Sequence, residues 1–121
     1  MSIRKAFVDM SDVAGAIADL SSTVNSISAA GANQGAATAL DYTTYQRVTT
    51  VAASTGVRLP AAVVGAKIVV FNVGANALAV YPATGEVINA LSANTSLSVT
   101  AAKGAEFICC VAGSWNALVG A

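Results

Sequence analysis

Apolar residues change their period partway along this chain. Between residues 3 and 27 they recur at steps of three and four: Ile3, Met10, Ile17 and Val24 share one heptad position, and Val13, Leu20 and Ile27 a second, with Ala6 the weak member. Side chains so spaced line one face of a helix. Arg4, Lys5, Asp12, Asp19, Ser22, Asn25 and Ser26 fall on the other faces, so the pattern predicts a narrow apolar stripe with a solvated back, as in a coiled coil. Phe7 and Val8 interrupt it. Ser11-Asp12 offers an N-cap, which leaves two starts open: a helix from residue 3, or an extended arm over residues 1–10 followed by a helix.

β-branched residues at both seam positions favour three or four strands over two. The stripe therefore predicts a homotrimer with Met10, Val13, Ile17, Leu20, Val24 and Ile27 in the seam, leaving Ile3 and Phe7 to contact a neighbouring protein. The same stripe would equally serve to lie on the chain's own β-sheet, the usual fate of an amphipathic helix in a globular protein. Gly15 and the serines lower its helicity, so a helix this short persists only against a partner.

From Tyr42 onward the period is that of strands. Runs rich in Val, Ile, Thr and Tyr occupy residues 42–53, 66–73, 78–81, 86–89, 96–100, 106–111 and 115–119. Turn residues separate them about every ten positions: Gly56, Pro60, Gly65, Gly74 with Asn76, Pro82 with Gly85, Asn94, Gly104 and Gly113. This spacing predicts a small antiparallel β-sandwich or barrel, with Asn72 and Asn76 flanking a hairpin turn at Gly74. Residues 67–71 and 107–111 are apolar on both faces and read as strands covered on both sides. The chain thus divides into an N-terminal arm or helix for assembly (1–28), an Ala/Gly-rich linker (29–41) and a β-module (42–121), a mainly β protein.

Composition sharpens this picture. Of 121 residues 55% are hydrophobic and only 10% charged, with six basic against six acidic side chains; a typical domain carries about 25% charged residues. Such a surface favours burial against other subunits. With no basic cluster beyond Arg4-Lys5 there is no electrostatic footprint for nucleic acid. No apolar run approaches the ~20 residues of a membrane span, and Asp9, Asp12 and Asp19 break the apolar stretch a signal peptide needs. The expected setting is the cytoplasm, without nucleic-acid or membrane partners.

Chemistry is sparse. There is no histidine, and the two cysteines, Cys109 and Cys110, are adjacent on one strand, where successive side chains diverge. They read as buried free thiols in a reducing compartment, with no spacing for a metal or redox site. In the β-module beyond Asp41 the only acids are Glu86 and Glu106, no serine sits in a nucleophile elbow, and no glycine loop carries a phosphate-binding lysine. The reading is a non-enzyme without cofactor, metal or catalytic residues.

Residues 57–115 carry a resemblance. Val57-Arg58-Leu59-Pro60, Gly65, the run from Asn72 through Gly74, Tyr81, Pro82 and Gly85 to Asn89, then Phe107 and Trp115, resemble small β-rich virion proteins of tailed bacteriophages, among them capsid decoration (cement) proteins and fibre proteins. Leu59, Pro60, Phe71, Asn72, Gly74, Tyr81, Pro82, Gly85, Phe107 and Trp115 serve as core and turn positions, with Trp115 a core lid or a subunit contact. The resemblance implies a trimeric decoration protein on the capsid surface of a virion, assembled in the host cytoplasm and bridging major capsid protein subunits, with Ile3 and Phe7 touching capsid or neighbour. The alternative it implies is a trimeric fibre or adhesin module whose few aromatics, Tyr42, Tyr45, Tyr81 and Trp115, would stack on a host receptor.

Overall fold

A computed structural model describes residues 23–120. Ten strands form in chain order: β1 (Thr23–Ser28), β2 (Thr38–Ala39), β3 (Tyr45–Thr50), β4 (Gly56–Arg58), β5 (Lys67–Asn72), β6 (Leu78–Tyr81), β7 (Val87–Ile88), β8 (Leu97–Val99), β9 (Gly104–Val111) and β10 (Ser114–Val119). They build two sheets, ordered β1-β3-β5-β9-β10-β7 and β2-β4-β6-β8. The protein is mainly β, and no helix occurs among the described residues.

The expected antiparallel sandwich is corrected. β1, β3 and β5 pair in parallel, as do β2, β4 and β6. Antiparallel pairing enters only at β9, β10 and β8. From β1 to β6 successive strands alternate between the sheets, so each of β3 to β6 pairs with the strand two positions earlier, in a solenoid-like course; β9 then pairs with β5, and β10 lies between β9 and β7. Parallel partners need a crossover; here a short strand in the opposite sheet supplies it in place of a helix. β1, β3 and β5 each begin 22 residues after the previous one. Turns at ten-residue intervals are compatible with both architectures, because each coil holds two strands.

The N-terminal reading is corrected in part. Val24 and Ile27 lie on β1, not on a helix, so neither belongs to a helical seam. Their spacing of three places them on a strand that carries a register shift between them. Ile3, Phe7, Met10, Val13, Ile17 and Leu20 lie outside the described residues. Within the stretch read as arm and linker, β1 and β2 join the two sheets and Ala30 bridges Gly56.

The core lies between the sheets. Val48, Ile68, Val70, Phe107 and Trp115 from the larger sheet meet Val57, Leu78, Val80 and Val99 from the smaller, with Leu59 and Ile88 beside them, all essentially inaccessible. Alternation along each strand explains the choice. On β5, Ile68, Val70 and Asn72 point inward, so Phe71 points outward and is 42% exposed, which corrects its expected place in the core. Asn72 holds the inward position because it organises the exit from β5. Its Nδ2 donates to the carbonyls of Asn76 (2.8 Å) and Val99 (2.9 Å), and its Oδ1 accepts from Gly74 N–H (3.0 Å).

That exit is not the expected hairpin, since β5 and β6 belong to different sheets. Gly74 is required there by close approach, as a Cβ would sit 2.7 Å from the Val51 side chain. Asn76 Nδ2 in turn donates to Val51 O at 2.9 Å. Trp115 is core, fully buried, and its indole N–H has no hydrogen-bond partner among the described residues. Leu59, Pro82 and Phe107 are buried, Pro60 and Tyr81 half-buried, and Gly85 turns the chain at φ 82°.

Candidate assembly surfaces

Two surfaces gather most of the exposed large apolar side chains among the described residues. The first is the outer face of the six-stranded sheet, where strand register lines up a continuous row: Thr23 beside Tyr45, Tyr45 beside Val69, Val69 opposite Glu106, and Glu106 opposite Leu118. Arg47 and Phe71 form a second row that ends on Gly104. Gly104 matters to this row, because a Cβ there would lie 3.0 Å from the Phe71 ring; its absence lets the ring settle over the neighbouring strand. Leu118 is 69% exposed. Two shallow grooves adjoin along the face and share Phe71, one of about 360 Å³ reaching Thr23, Val24, Tyr45 and Arg47, the other of about 380 Å³ reaching Val69, Glu106, Leu118 and Val119.

The face carries little charge. Lys67 and Glu106 pair across β5 and β9 at 3.4 Å. Among the described residues the Arg47 guanidinium donates to Asn25, at 3.3 Å to its side-chain oxygen and 3.5 Å to its carbonyl. The large apolar side chains exposed on it, Phe71, Leu118 and Val119, make this face a candidate contact surface.

The second surface is the end of the module where the β9–β10 turn meets the 62–66 turn. Gly65 N–H donates to Cys109 O (2.8 Å), Cys109 N–H to Ala66 O (2.9 Å) and Gly113 N–H to Ala62 O (3.2 Å). These bonds bring Val63, Val64 and Val111 together, all more than half exposed. Tyr42 joins them through its hydroxyl, which donates to Ala61 O at 2.7 Å. Cys110 is exposed here as well, a correction to the pair of buried thiols: β9 alternates, so Cys109 faces the core and its neighbour faces out. Sequence reasoning missed this end because Val63 and Val64 resemble core residues; only the turn at Gly65 (φ 91°) places them at a tip.

The remaining polar groups hold structure. Glu86 accepts from Ala62 N–H with both carboxylate oxygens, at 2.9 and 3.2 Å, tethering that tip from below. Asp41 Oδ1 accepts from Thr43 N–H at 2.9 Å, and its hydrogen bonds from the Thr43 side chain and backbone hold its carboxyl below the ordinary value of 3.8. Gln46, buried, donates to Asp41 O and Thr43 O. Among the described residues no cluster of three His, Cys, Asp or Glu could hold a metal ion. The sequence-selected core and turn residues lie between the sheets and in the turns that join their strands and form no shared site, Phe71 alone reaching a candidate surface. No family model matches the chain, and no curated protein and no solved structure gives a significant match.

Proposed function

We propose that this chain is a structural subunit of a tailed-phage-like virion, a capsid decoration protein that acts as a homotrimer and bridges neighbouring major-capsid subunits. The observation that carries the reading is the uncharged end formed by Tyr42, Val63, Val64 and Val111, which offers apolar area and backbone beside the free thiol of Cys110. Burial of such area stabilises a contact by about 25 cal/mol per Å², and a partner that binds only the folded, assembled state stabilises that state by mass action. Many weak contacts repeated over a shell add together. The resemblance of residues 57–115 to decoration and fibre proteins supplies the virion context.

Decoration is preferred to a host-binding fibre because Trp115, the largest of the aromatics a sugar would stack on, is wholly buried. The test is the copy number per particle, by quantitative mass spectrometry of purified virions. A number comparable to the major capsid protein supports decoration; a few copies per particle would transfer the reading to a fibre, and absence would end both. A Val63→Asp/Val64→Asp variant should fold normally yet no longer bind particles.

A further inference from the structure

We propose that the Asn89 side chain closes the β10 edge against a second copy of this chain, and that without it two copies join antiparallel through β10. The inference stands independently of the virion reading. It starts from the way β7 ends. β7 and β10 run parallel, with Val87 beside Ser114 and Ile88 beside Trp115, and the ladder continues for one more bond, from Asn89 N–H to Trp115 O at 2.8 Å. At Asn89 the backbone enters the left-handed region (φ 53°) and Leu91 N–H closes a turn onto Ile88 O, which carries the chain away from β10. The Asn89 carboxamide takes the next place in the ladder. Its Oδ1 accepts from Ala117 N–H at 2.8 Å and its Nδ2 donates to Ala117 O at 3.4 Å, the donor and acceptor of a side-chain amide matching those of a peptide group. Asparagine suits this place on both counts, since it also tolerates a positive φ better than most side chains.

The edge so covered is one that needs covering. Past Trp115, β10 carries neither charge nor proline at residues 116–119, and Leu118 and Val119 are 69% and 46% exposed. An uncharged, apolar edge with unpaired backbone groups is a template for another strand.

The occupant is a second copy because this edge is complementary to itself. Trp115 and Ala117 turn their backbone groups toward Asn89, whereas Gly120 N–H donates the other way, to Gly104 O at 2.7 Å; by alternation Val119 faces outward with Ala117. A twofold axis beside Leu118 then pairs Ala117 of each copy with Val119 of the other, each pair exchanging both backbone hydrogen bonds, and sets the two Leu118 residues opposite one another with Cα atoms about 4.5 Å apart. The Asn89 backbone still occupies the place beside Trp115, so the pairing is confined to residues 117–119 and strengthens with protein concentration. The carboxamide prevents it by occupying the Ala117 N–H and C=O that the second copy needs.

Disulfide trapping in the full chain tests the proposal. Leu118→Cys in a Cys110→Ser background is compared with and without Asn89→Gly, a substitution that removes the carboxamide and keeps the turn, because glycine adopts φ 53° freely. The Cα separation of the paired edge suits a disulfide, so mild oxidation should give roughly fivefold more interchain bond between the introduced thiols with Asn89→Gly than with Asn89 in place. That yield should rise with protein concentration. Asn89→Ala, which also lacks the carboxamide, should match Asn89→Gly and so guards against a folding defect peculiar to either. Asn89→Asp keeps an acceptor for Ala117 N–H and adds a charge to the edge, and should stay at the Asn89 level. Adding Ala117→Pro to Asn89→Gly removes the outward N–H at an edge position where proline is tolerated, and should return the yield to that level as well. Equal yields with and without the carboxamide would overturn the proposal. A raised yield that persists with Ala117→Pro, or that appears equally with Asn89→Asp, would overturn it too, because the contact would then not run through the bonds that Asn89 covers.

Discussion

The outer faces of the two sheets are finished differently. Over the four-stranded sheet the chain covers itself: Arg58 donates from the sheet surface to Gln34 O at 2.9 Å, and Gln34 Nε2 reaches across to Pro82 O (2.8 Å) and Asn94 Oδ1 (3.1 Å), so the 31–36 loop straps β4 to the far side of β6. Tyr81 lies over Gly56, where a Cβ would come within 2.9 Å of its ring. The six-stranded sheet has no such strap among the described residues, and Phe71 and Leu118 remain open. A stretch that reads as a linker can therefore be a cover, and a residue that reads as core can be a contact. The difference is set by which carbonyls and side-chain amides meet, not by hydrophobicity.

Both faces rest on one core, and its loss should erase the contrast. Trp115→Ala removes the largest fully buried side chain and should cost about 3–5 kcal/mol, read as a fall in the denaturation midpoint with both sheets unfolding together. Separate transitions would mean that the sheets are not one unit.

Phe71→Ala separates the faces. If the six-stranded face is covered in the native protein, the loss should be about 2 kcal/mol, as for a buried aromatic; a cost below about 0.5 kcal/mol, typical of a surface change, would show a face left to solvent. On the other side, Gln34→Ala removes two hydrogen bonds and should cost about 1 kcal/mol, with faster amide exchange confined to residues 31–37. Exchange that quickens across β5 and β9 instead would tie the strap to the wrong sheet.

The smallest effect is electrostatic and tests β3 near the open face. Asp41 has its carboxyl held below 3.8 in the folded state, so its contribution is present above that value and is lost as pH falls through the lower folded value. Because the group is largely exposed, the contribution should be no more than about 0.5 kcal/mol. Asp41→Asn should flatten the acid limb of the stability profile by that amount and leave pH 7 stability lower by the same amount.

Much of the strand content was legible, and the reasons are local. Residues 67–72, 78–81, 106–111 and 115–119 combine β-branched side chains with bounding turns, and strands formed there. β4 was missed because Gly56-Val57-Arg58 is short and begins with a glycine that reads as a turn. β1 was missed because Val24 and Ile27 extend the upstream heptad spacing. Pairing direction was not legible at all: Thr23–Ser28, Tyr45–Thr50 and Lys67–Asn72 occupy equivalent positions 22 residues apart yet share no residue pattern. Of the candidate surfaces, Phe71 was named as a core residue, while Val63, Val64 and Val111 had no signal until the 62–66 turn met β9. Side-chain period fixes which residues share a face, but not which sheet the next strand joins.

The most direct test of the contrast is the accessibility of Leu118 in the native full chain. With Leu118→Cys in a Cys110→Ser background, reaction of the introduced thiol with a small alkylating reagent should come within about threefold of the rate in the urea-unfolded protein, since Leu118 is 69% exposed on the open face. A rate at least tenfold slower than that of the unfolded chain would contradict it, because the six-stranded face would then be covered in the native state.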